Sequence, residues 1–392
     1  MLRRRLAQPQ VTPLHGGECP IIAQGELSTP AVVRQLTLAQ LRLPGTAAGT
    51  WVDSSAATYL CAAITQGHID VVRTFLNARL DVNTREPQGR AAMHVAAAMD
   101  DTAALALLLS YRADIEIKYE GGYTPLHWAA YHGSCKAVAW LSQTGAQINA
   151  RSDNGATPLF TAAIMQQPQA VRLLLELGAQ FLPTDKGTTP LHRAAHDGDA
   201  EIADILLQRF SRLPEGGVES RDPELCVNAR DEDGDTPLML AALGGHTEVA
   251  RLLLEHGGDL HATDNMGGTP LHHAAYGDSP DMIRWLVEHG ASLEVKDCEG
   301  SGPLEWAVLA GNPPQVATLL ECGADPNAKD ENGWTSLNVA AMGDACDVVS
   351  LLLEHGANPN VGAHDGITPL HTAAYHDHVD SIMMLISARG EP

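Results

Sequence analysis

Aromatic residues are scarce in this sequence: Phe, Trp and Tyr make up 4% of its 392 residues, although hydrophobic residues reach 44%. A core of that size with so few rings has to be built mainly from Ala, Leu and Val, which suits helices packed at close range. The length exceeds the roughly 100–200 residues of one ordinary domain, so the chain holds several domains or an array of repeated units.

Basic residues are also few, 25 Lys and Arg against 48 Asp and Glu, which gives a net charge of −23. The first 50 residues hold five Arg and two Glu, so the other 342 residues carry −26. Nucleic acids and anionic membranes are bound through clustered Lys and Arg. The composition therefore predicts neither a nucleic-acid partner nor a membrane partner.

Cysteines are seven in number, scattered and without a CxxC pair, which indicates thiols in a reducing compartment. No apolar run reaches 18 residues, so no membrane span is predicted. The basic start MLRRRLAQPQ has no apolar stretch after it, which argues against a secretory signal. We expect a cytoplasmic protein. The nucleus is an alternative, and the acid-free N-terminus leaves an organelle transit peptide as another.

Catalytic motifs are missing as well: we find no GxxxxGK, GxSxG or HExxH motif and no zinc-type Cys/His spacing. Only residues 1–50 lie outside the repeated part described next, which is too short a segment for a catalytic domain. The sequence therefore predicts no enzyme, no cofactor and no metal.

A ten-residue motif is present many times, for example TPLHWAAYHG at 124–133, TPLHHAAYGD at 269–278 and TPLHTAAYHD at 368–377. Its copies begin 33 residues apart, apart from one step of 32 and one of 47. A fixed period of this length is typical of a stacked repeat array. The ten copies begin at Thr58, Ala91, Thr124, Thr157, Thr189, Thr236, Thr269, Gly302, Thr335 and Thr368.

Each copy predicts two helices and a loop. Thr can cap the first helix, and Pro suits its first position. Leu126, Ala129 and Ala130 fall on one apolar face, and Gly133 ends that helix. A second helix such as VARLLLEHG at 249–257 also ends at Gly, and a polar turn leads into the next copy.

The pattern G-x-TPLHxAAxxGxxxxVxxLLxxGADxNxxD resembles the ankyrin repeat over about residues 53–390, or ten units. The resemblance implies an all-α, ankyrin-type helix-turn-helix solenoid with hairpin loops. It also implies that the motif histidines are structural and tie helix starts to adjacent turns, so that the spacing of His192 and His196 is not a zinc pair. These histidines are His94, His127, His192, His272 and His371.

Segments outside the period have their own predictions. Residues 1–27 are expected to be flexible, although VTPLHGG at 11–17 copies part of the motif. Residues 28–50 have the cap and apolar spacing of a helix that would cover the first unit, followed by a linker. The insertion near 211–225 is rich in Pro and Gly and is either a tolerated surface loop or a partner contact.

The first two units have Arg79 and Arg112 where most copies have the helix-ending Gly. A non-Gly residue in left-handed geometry costs about 1 kcal/mol. We therefore expect the N-terminal end of the array to be less stable than the rest.

The x positions of TPLHxAAxxG vary between copies, whereas Leu and the Ala pair are expected to point into the stack. In ankyrin-like folds such positions line the concave groove, where recognition chemistry can be placed on a fixed scaffold. Packing against neighbouring helices is the alternative for the aromatic residues. The predicted groove contacts are Trp128, Tyr131, His132, Ile164, Met165, Arg193, His196, His273, Tyr276, Trp306 and Tyr375.

The hairpin tips are acidic, as in RDEDG and KDENG. Turn chemistry accounts for part of this acidity, because Asp favours such turns. The predicted tip contacts are Asp231, Glu232, Asp233, Asp330 and Glu331.

Together these features predict a monomeric, non-catalytic scaffold or adaptor that binds a protein with a basic, partly apolar segment. A secreted or host-directed effector and a ubiquitin-ligase substrate receptor are alternatives that would use the same groove. The receptor would need a recruitment box, and none is visible after the last repeat.

Overall fold

The computed structural model describes residues 54–211 and 227–389. The predicted flexible segment 1–27, the predicted capping helix and linker at 28–50, and all of the insertion after Ser211 lie outside the described residues. The described chain divides between Lys186 and Gly187 into two compact units, here called the N-terminal unit and the C-terminal unit. Both are built from successive helix-turn-helix pairs.

The N-terminal unit contains four helix pairs. Its helices are α1 (Ser54–Thr65), α2 (Ile69–Asn77), α3 (Ala92–Ala98), α4 (Thr102–Ser110), α5 (Pro125–Tyr131), α6 (Cys135–Gln143), α7 (Pro158–Ile164) and α8 (Pro168–Glu176). The first helices of successive pairs pack side by side in the order α1, α3, α5, α7, and the second helices form a parallel row behind them.

The C-terminal unit contains six pairs. Its helices are α9 (Pro190–Asp197), α10 (Ala200–Ser211), α11 (Pro237–Leu243), α12 (Thr247–Glu255), α13 (Pro270–Tyr276), α14 (Pro280–Glu288), α15 (Pro303–Ala310), α16 (Pro313–Glu321), α17 (Ser336–Met342), α18 (Cys346–Glu354), α19 (Pro369–Tyr375) and α20 (Val379–Arg389). Here too the first helices pack in series, from α9 through α11, α13, α15 and α17 to α19.

Within the described ranges 54–211 and 227–389 there is no β-strand. Two isolated β-bridges are present, at Arg85–Ala91 and Lys329–Thr335. The all-α prediction is thereby confirmed. Over the same residues, no helix is long and apolar enough to cross a membrane.

The helix starts follow the motif. Thr157 precedes α7, and its Oγ1 accepts a hydrogen bond from the backbone N–H of Phe160 at 3.2 Å. In α5 the backbone N–H of Thr124 donates to Nδ1 of His127 at 3.2 Å, so the histidine satisfies a donor that the helix itself cannot. Pro125 takes the first helical position, where its missing N–H costs nothing.

The first copy departs from this pattern. Thr58 lies inside α1, which already begins at Ser54, and not at a helix start as its motif position suggests. Tyr59 follows Thr58 in place of the usual Pro, so nothing in this copy fixes the helix start at the Thr.

The core consists of the residues that the motif repeats. The Leu of TPLH is at most 1% exposed at Leu126, Leu159 and Leu191, and Ala129 and Ala130 are 0% exposed. Small side chains at these two positions let adjacent first helices approach closely, which explains how a core with few aromatic residues can be densely packed.

Arg79 and Arg112 have φ angles of 63° and 67°, the left-handed conformation that the missing glycines would have adopted. Because Arg79 is exposed, Arg79→Gly removes backbone strain without removing packing, and we expect it to raise the free energy of unfolding by about 0.5–1 kcal/mol. Ala78→Gly is the matched control: φ there is −75°, so Gly should destabilise by a similar amount. Urea unfolding followed by circular dichroism measures both, and equal effects of the two changes would contradict the strain argument.

Candidate partner-binding surface

The position directly after the motif histidine is buried in most copies. Trp128 is 6% exposed, His273 2% and Trp306 1%. The prediction that these three side chains line an exposed groove is therefore corrected, because a buried side chain offers no area to a partner. Arg193, in the same position, is half-buried.

These buried side chains contact the hairpin that precedes their own helix. Trp306 donates from Nε1 to Oδ2 of Asp297 at 2.8 Å, and His273 from Nε2 to Oδ2 of Asp264 at 3.2 Å. Both acceptors lie nine residues earlier in the chain. Trp128 packs edge-to-face on Tyr119, also nine residues earlier, with ring centroids 5.2 Å apart. In these three copies the side chain after the motif histidine position is therefore engaged with the residue nine positions earlier.

The eighth and ninth motif positions are the accessible ones, and we name the row that they form in each unit the helix-end stripe of that unit. In the N-terminal unit Tyr131 and Ile164 are the last residues of α5 and α7, and both are half-buried. Met165 is also half-buried, and His132 is exposed. Met99 in the preceding copy is 40% exposed. Met99 was not among the predicted contacts, because its copy lacks the Thr-Pro start that marks the motif.

His132 is bordered by aromatic rings, with centroids 5.0 Å from Tyr131 and 6.0 Å from Trp128. Partial burial lowers the pKa of His132, so the imidazole is mostly neutral at pH 7. This part of the stripe therefore presents uncharged, largely apolar side chains.

In the C-terminal unit the stripe becomes more exposed toward α19. Its members are His196, Leu243, Tyr276, Leu309, Met342 and Tyr375, at the eighth motif position of successive copies. The first four are half-buried, whereas Met342 is 37% and Tyr375 86% exposed. Because their helices pack side by side, these side chains form one row.

At the α9 end of this row, the predicted contact residues Arg193 and His196 both contact the carboxylate of Asp197. Arg193 Nε lies 2.6 Å from Oδ2 of Asp197, and His196 Nδ1 lies 2.9 Å from its Oδ1. The chemical character of the stripe therefore changes from polar at α9 to apolar at α19.

The hairpin acids divide into two kinds. Oδ1 of Asp231 accepts from the backbone N–H groups of Asp233 and Asp235 at 3.0 and 2.9 Å. Burial, followed by the nearby Asp235 carboxylate, raises the pKa of Asp231 to about 6. Asp231 therefore shapes its turn.

Asp330 shapes the corresponding turn of a later copy, where its Oδ1 accepts from the N–H groups of Asn332 and Trp334, both at 2.8 Å. Glu232 and Glu331 are exposed at the tips, and Asp233 is half-buried. Of the five predicted tip contacts, the two glutamates are thus the exposed ones.

A family model described as "Ankyrin repeats (3 copies)" matches residues 31–119, 60–152, 126–214, 217–297 and 304–391, well over half of the chain. The chain belongs to the ankyrin repeat family. Ankyrin repeats are generally protein-interaction modules, and the family is typically non-catalytic.

Several curated proteins share individual ankyrin repeats with this chain. Ankyrin repeat domain-containing protein 49 of Bos taurus is 58% identical over 36 residues, which cover 9% of this chain and 15% of that protein. The 26S proteasome non-ATPase regulatory subunit 10 of Dictyostelium discoideum is 37% identical over 71 residues, 18% of this chain and 25% of that protein. Alpha-latrotoxin-Lh1a of Latrodectus hasselti is 37% identical over 84 residues, 16% of this chain and 6% of the toxin. The chain thus spans a quarter or less of each of these relatives, and the likeness is one of repeats.

The motif histidines connect neighbouring repeats by hydrogen bonds, as the resemblance implied. Nε2 of His127 donates to the carbonyl of Ala156 at 3.0 Å, and Nε2 of His192 to that of Asp235 at 3.0 Å. Both ring nitrogens of His192 are engaged in this way, because its Nδ1 accepts from Thr189. His371, in the last copy, is exposed and bonds only within its own helix start among the described residues.

Proposed function

We propose that this chain is a cytoplasmic, non-catalytic scaffold or adaptor that binds a protein partner along the helix-end stripe. The observation that carries the proposal is the row of accessible apolar side chains at one motif position, with Tyr375 and Met342 as its most exposed members. Large apolar side chains in a continuous row are the composition of an interface core.

The partner that fits this surface has a basic, partly apolar segment. Residues 51–392 carry −26, and Glu232 and Glu331 are exposed at hairpin tips. Apolar side chains of the segment would pack on the stripe, and its Lys and Arg would meet the tip glutamates. Complementary charges of this kind mainly speed association and select partners.

The test combines cross-linking with kinetics. A photoreactive amino acid at Tyr375 or at Tyr131 should cross-link to a cellular protein, whereas the same group at Met383 should not. Met383 is the matched control because it is apolar and 59% exposed, but lies on α20 and not on the stripe. A cross-link from Met383 alone would place the contact on the second helices and overturn the proposal.

Binding kinetics with the purified partner then separate the contribution of the helix-end stripe from that of the tip glutamates. Tyr375→Ala should weaken binding about thirtyfold, mainly through faster dissociation, because exposed aromatic anchors typically contribute 2 kcal/mol or more. Glu232→Gln together with Glu331→Gln should slow association and flatten its salt dependence, with less effect at equilibrium. Met383→Ala should bind like the parent. Unchanged dissociation of Tyr375→Ala would count against the stripe.

A further inference from the structure

Three buried side chains that can act as metal ligands meet in the C-terminal unit. Asp235, Asp264 and His273 are 1%, 5% and 2% exposed. Nε2 of His273 lies 3.2 Å from Oδ2 of Asp264 and 3.5 Å from Oδ1 of Asp235. The candidate ligand atoms of all three residues lie within 4.8 Å of one another.

Two of the three residues are unusual for their motif positions. Just before the motif Thr, where this cluster has Asp235, other copies have Tyr123, Ala156 and Ser301. After the motif His, where the cluster has His273, other copies have Trp, Thr, Arg, Leu or Val. Asp264, in contrast, is an ordinary hairpin Asp like Asp231, Asp297 and Asp330. Asp235 and His273, which depart from the motif in consecutive copies, therefore both lie close to the carboxylate of Asp264.

The two carboxylates give the cluster an acidic character that suits a cation. Two carboxylates with a protonated imidazole leave a net charge of −1 in a buried position, and a neutral imidazole leaves −2. The carboxylate of Asp231 lies beside Asp235, because its Oδ1 accepts from the Asp235 N–H at 2.9 Å, so the surroundings contribute a further acidic group. A divalent cation with two carboxylates and a neutral imidazole gives a neutral group.

Two of the three separations between the candidate ligand atoms also match the coordination geometry of zinc. Zn–N and Zn–O bonds of about 2.0–2.2 Å in a tetrahedron place the ligand atoms roughly 3.3–3.5 Å apart. The two separations measured from Nε2 lie close to this range. Oδ1 of Asp264 accepts from the N–H groups of Met266 and Gly268 at 2.7 and 2.8 Å, which fixes the carboxylate with Oδ2 toward His273. Such outer hydrogen bonds orient metal ligands in known sites.

The cluster is also closely enclosed. The Trp306 ring lies 5.7 Å from the His273 ring, and a Cβ on Gly268 would come within 2.8 Å of Trp306 and 3.2 Å of Asp264 Oδ2. A side chain at residue 268 would therefore press on the cluster. This enclosure leaves little space beside the cluster for anything larger than a small ligand such as water.

We infer that Asp235, Asp264 and His273 bind one divalent transition-metal cation, Zn²⁺ by preference, with water as the fourth ligand. The imidazole nitrogen favours zinc over calcium and magnesium, which take oxygen ligands. Binding replaces the hydrogen bond between His273 and Asp264 with two metal bonds. An imidazolium releases its Nε2 proton to solvent and keeps the Nδ1 proton, whereas a neutral imidazole moves its proton from Nε2 to Nδ1, so the bound imidazole is neutral in both cases. The ion links the hairpins of two adjacent repeats to α13.

Calorimetry of the full chain with zinc alone tests this inference, after chelator treatment to remove bound metal. We expect one ion per chain and a higher thermal midpoint in its presence, since a ligand of the folded state stabilises it. His273→Trp should weaken binding about 100-fold or more yet fold, because Trp306 makes the equivalent contact to Asp297 in the next copy. Asp235→Ser copies Ser301 and should weaken binding similarly. Glu299→Gln, an exposed tip acid, is the control.

Cobalt substitution supplies a second measurement. Co²⁺ in this site should give the intense visible absorption of four-coordinate cobalt, and the absorption should disappear in His273→Trp. The inference is overturned if the parent takes up no zinc, if both variants bind zinc as the parent does, or if the cobalt spectrum is that of a six-coordinate ion.

Discussion

Acidification from pH 7 to pH 5 is expected to lower the free energy of unfolding by about 2 kcal/mol for each buried motif histidine. Burial lowers the pKa of His94, His127, His192 and His272 from 6.5 to about 4 in each case. The unfolded chain takes up these protons near pH 6.5, whereas the folded chain does not. The stability is therefore present above pH 6.5 and is lost as pH falls toward 4.

The chain itself supplies a matched variant for this prediction. Asn338 occupies the motif-histidine position and makes both hydrogen bonds: its Oδ1 accepts from Thr335 N–H at 3.1 Å, and its Nδ2 donates to the Ile367 carbonyl at 3.3 Å. His192→Asn should therefore fold. Its unfolding at acidic pH should take up about one proton fewer than that of the parent, so its free energy of unfolding should fall less on acidification. Urea midpoints between pH 7.5 and 5 measure this, and an unchanged slope in His192→Asn would contradict the assignment.

Replacement of Glu305 is expected to raise the free energy of unfolding, and the gain should be larger at high pH than at low pH. Glu305 stands at the motif-histidine position of α15 and is 3% exposed. Its Oε2 accepts from Gly302 N–H at 2.8 Å, but its buried Oε1 has no hydrogen-bond partner among the described residues. Burial raises the pKa of Glu305 from 4.5 to about 7. The protonated form contributes stability below pH 4.5, and this contribution is lost as pH rises through 7.

Glu305→Asn introduces the side chain that Asn338 has at the same motif position, and it removes the cost of burying an ionised carboxylate. We expect a gain of about 3 kcal/mol in unfolding free energy at pH 8, and only about 1 kcal/mol at pH 5.5, where the parent carboxyl is protonated when folded. Glu299→Gln removes an exposed acid from the preceding hairpin and should change stability by about 0.5 kcal/mol or less. A gain that does not vary with pH would show that packing, and not ionisation, accounts for the effect.

The sequence predicted the elements that local chemistry decides. Thr-Pro placed helix starts such as α5, and glycine replacements at Arg79 and Arg112 predicted left-handed residues that the structure contains. Thr58 failed as a helix start because the Pro that would fix it is missing. In each case the deciding information lies within a few residues of the feature.

The burial of individual motif positions could not be predicted in this way. Trp306 was expected on the surface because variable positions often carry contacts, but its partner Asp297 comes within reach only after the hairpin folds back on its helix. The cluster of Asp235, Asp264 and His273 joins residues from adjacent repeats, so the period alone did not bring them together. The first feature depends on how a hairpin folds back on its helix, and the second on how repeats stack.

The contact that reaches back nine residues also fixes where one repeat can be exchanged for another. A graft that begins at the motif Thr would carry Trp306 into a new array but leave Asp297 behind, and the buried indole N–H would lose its acceptor unless the receiving hairpin has an Asp at the equivalent position. A graft that begins before the hairpin transfers both residues together. The unit of recombination in this array is therefore the hairpin with the two helices that follow it, although the most recognisable letters begin at TPLH.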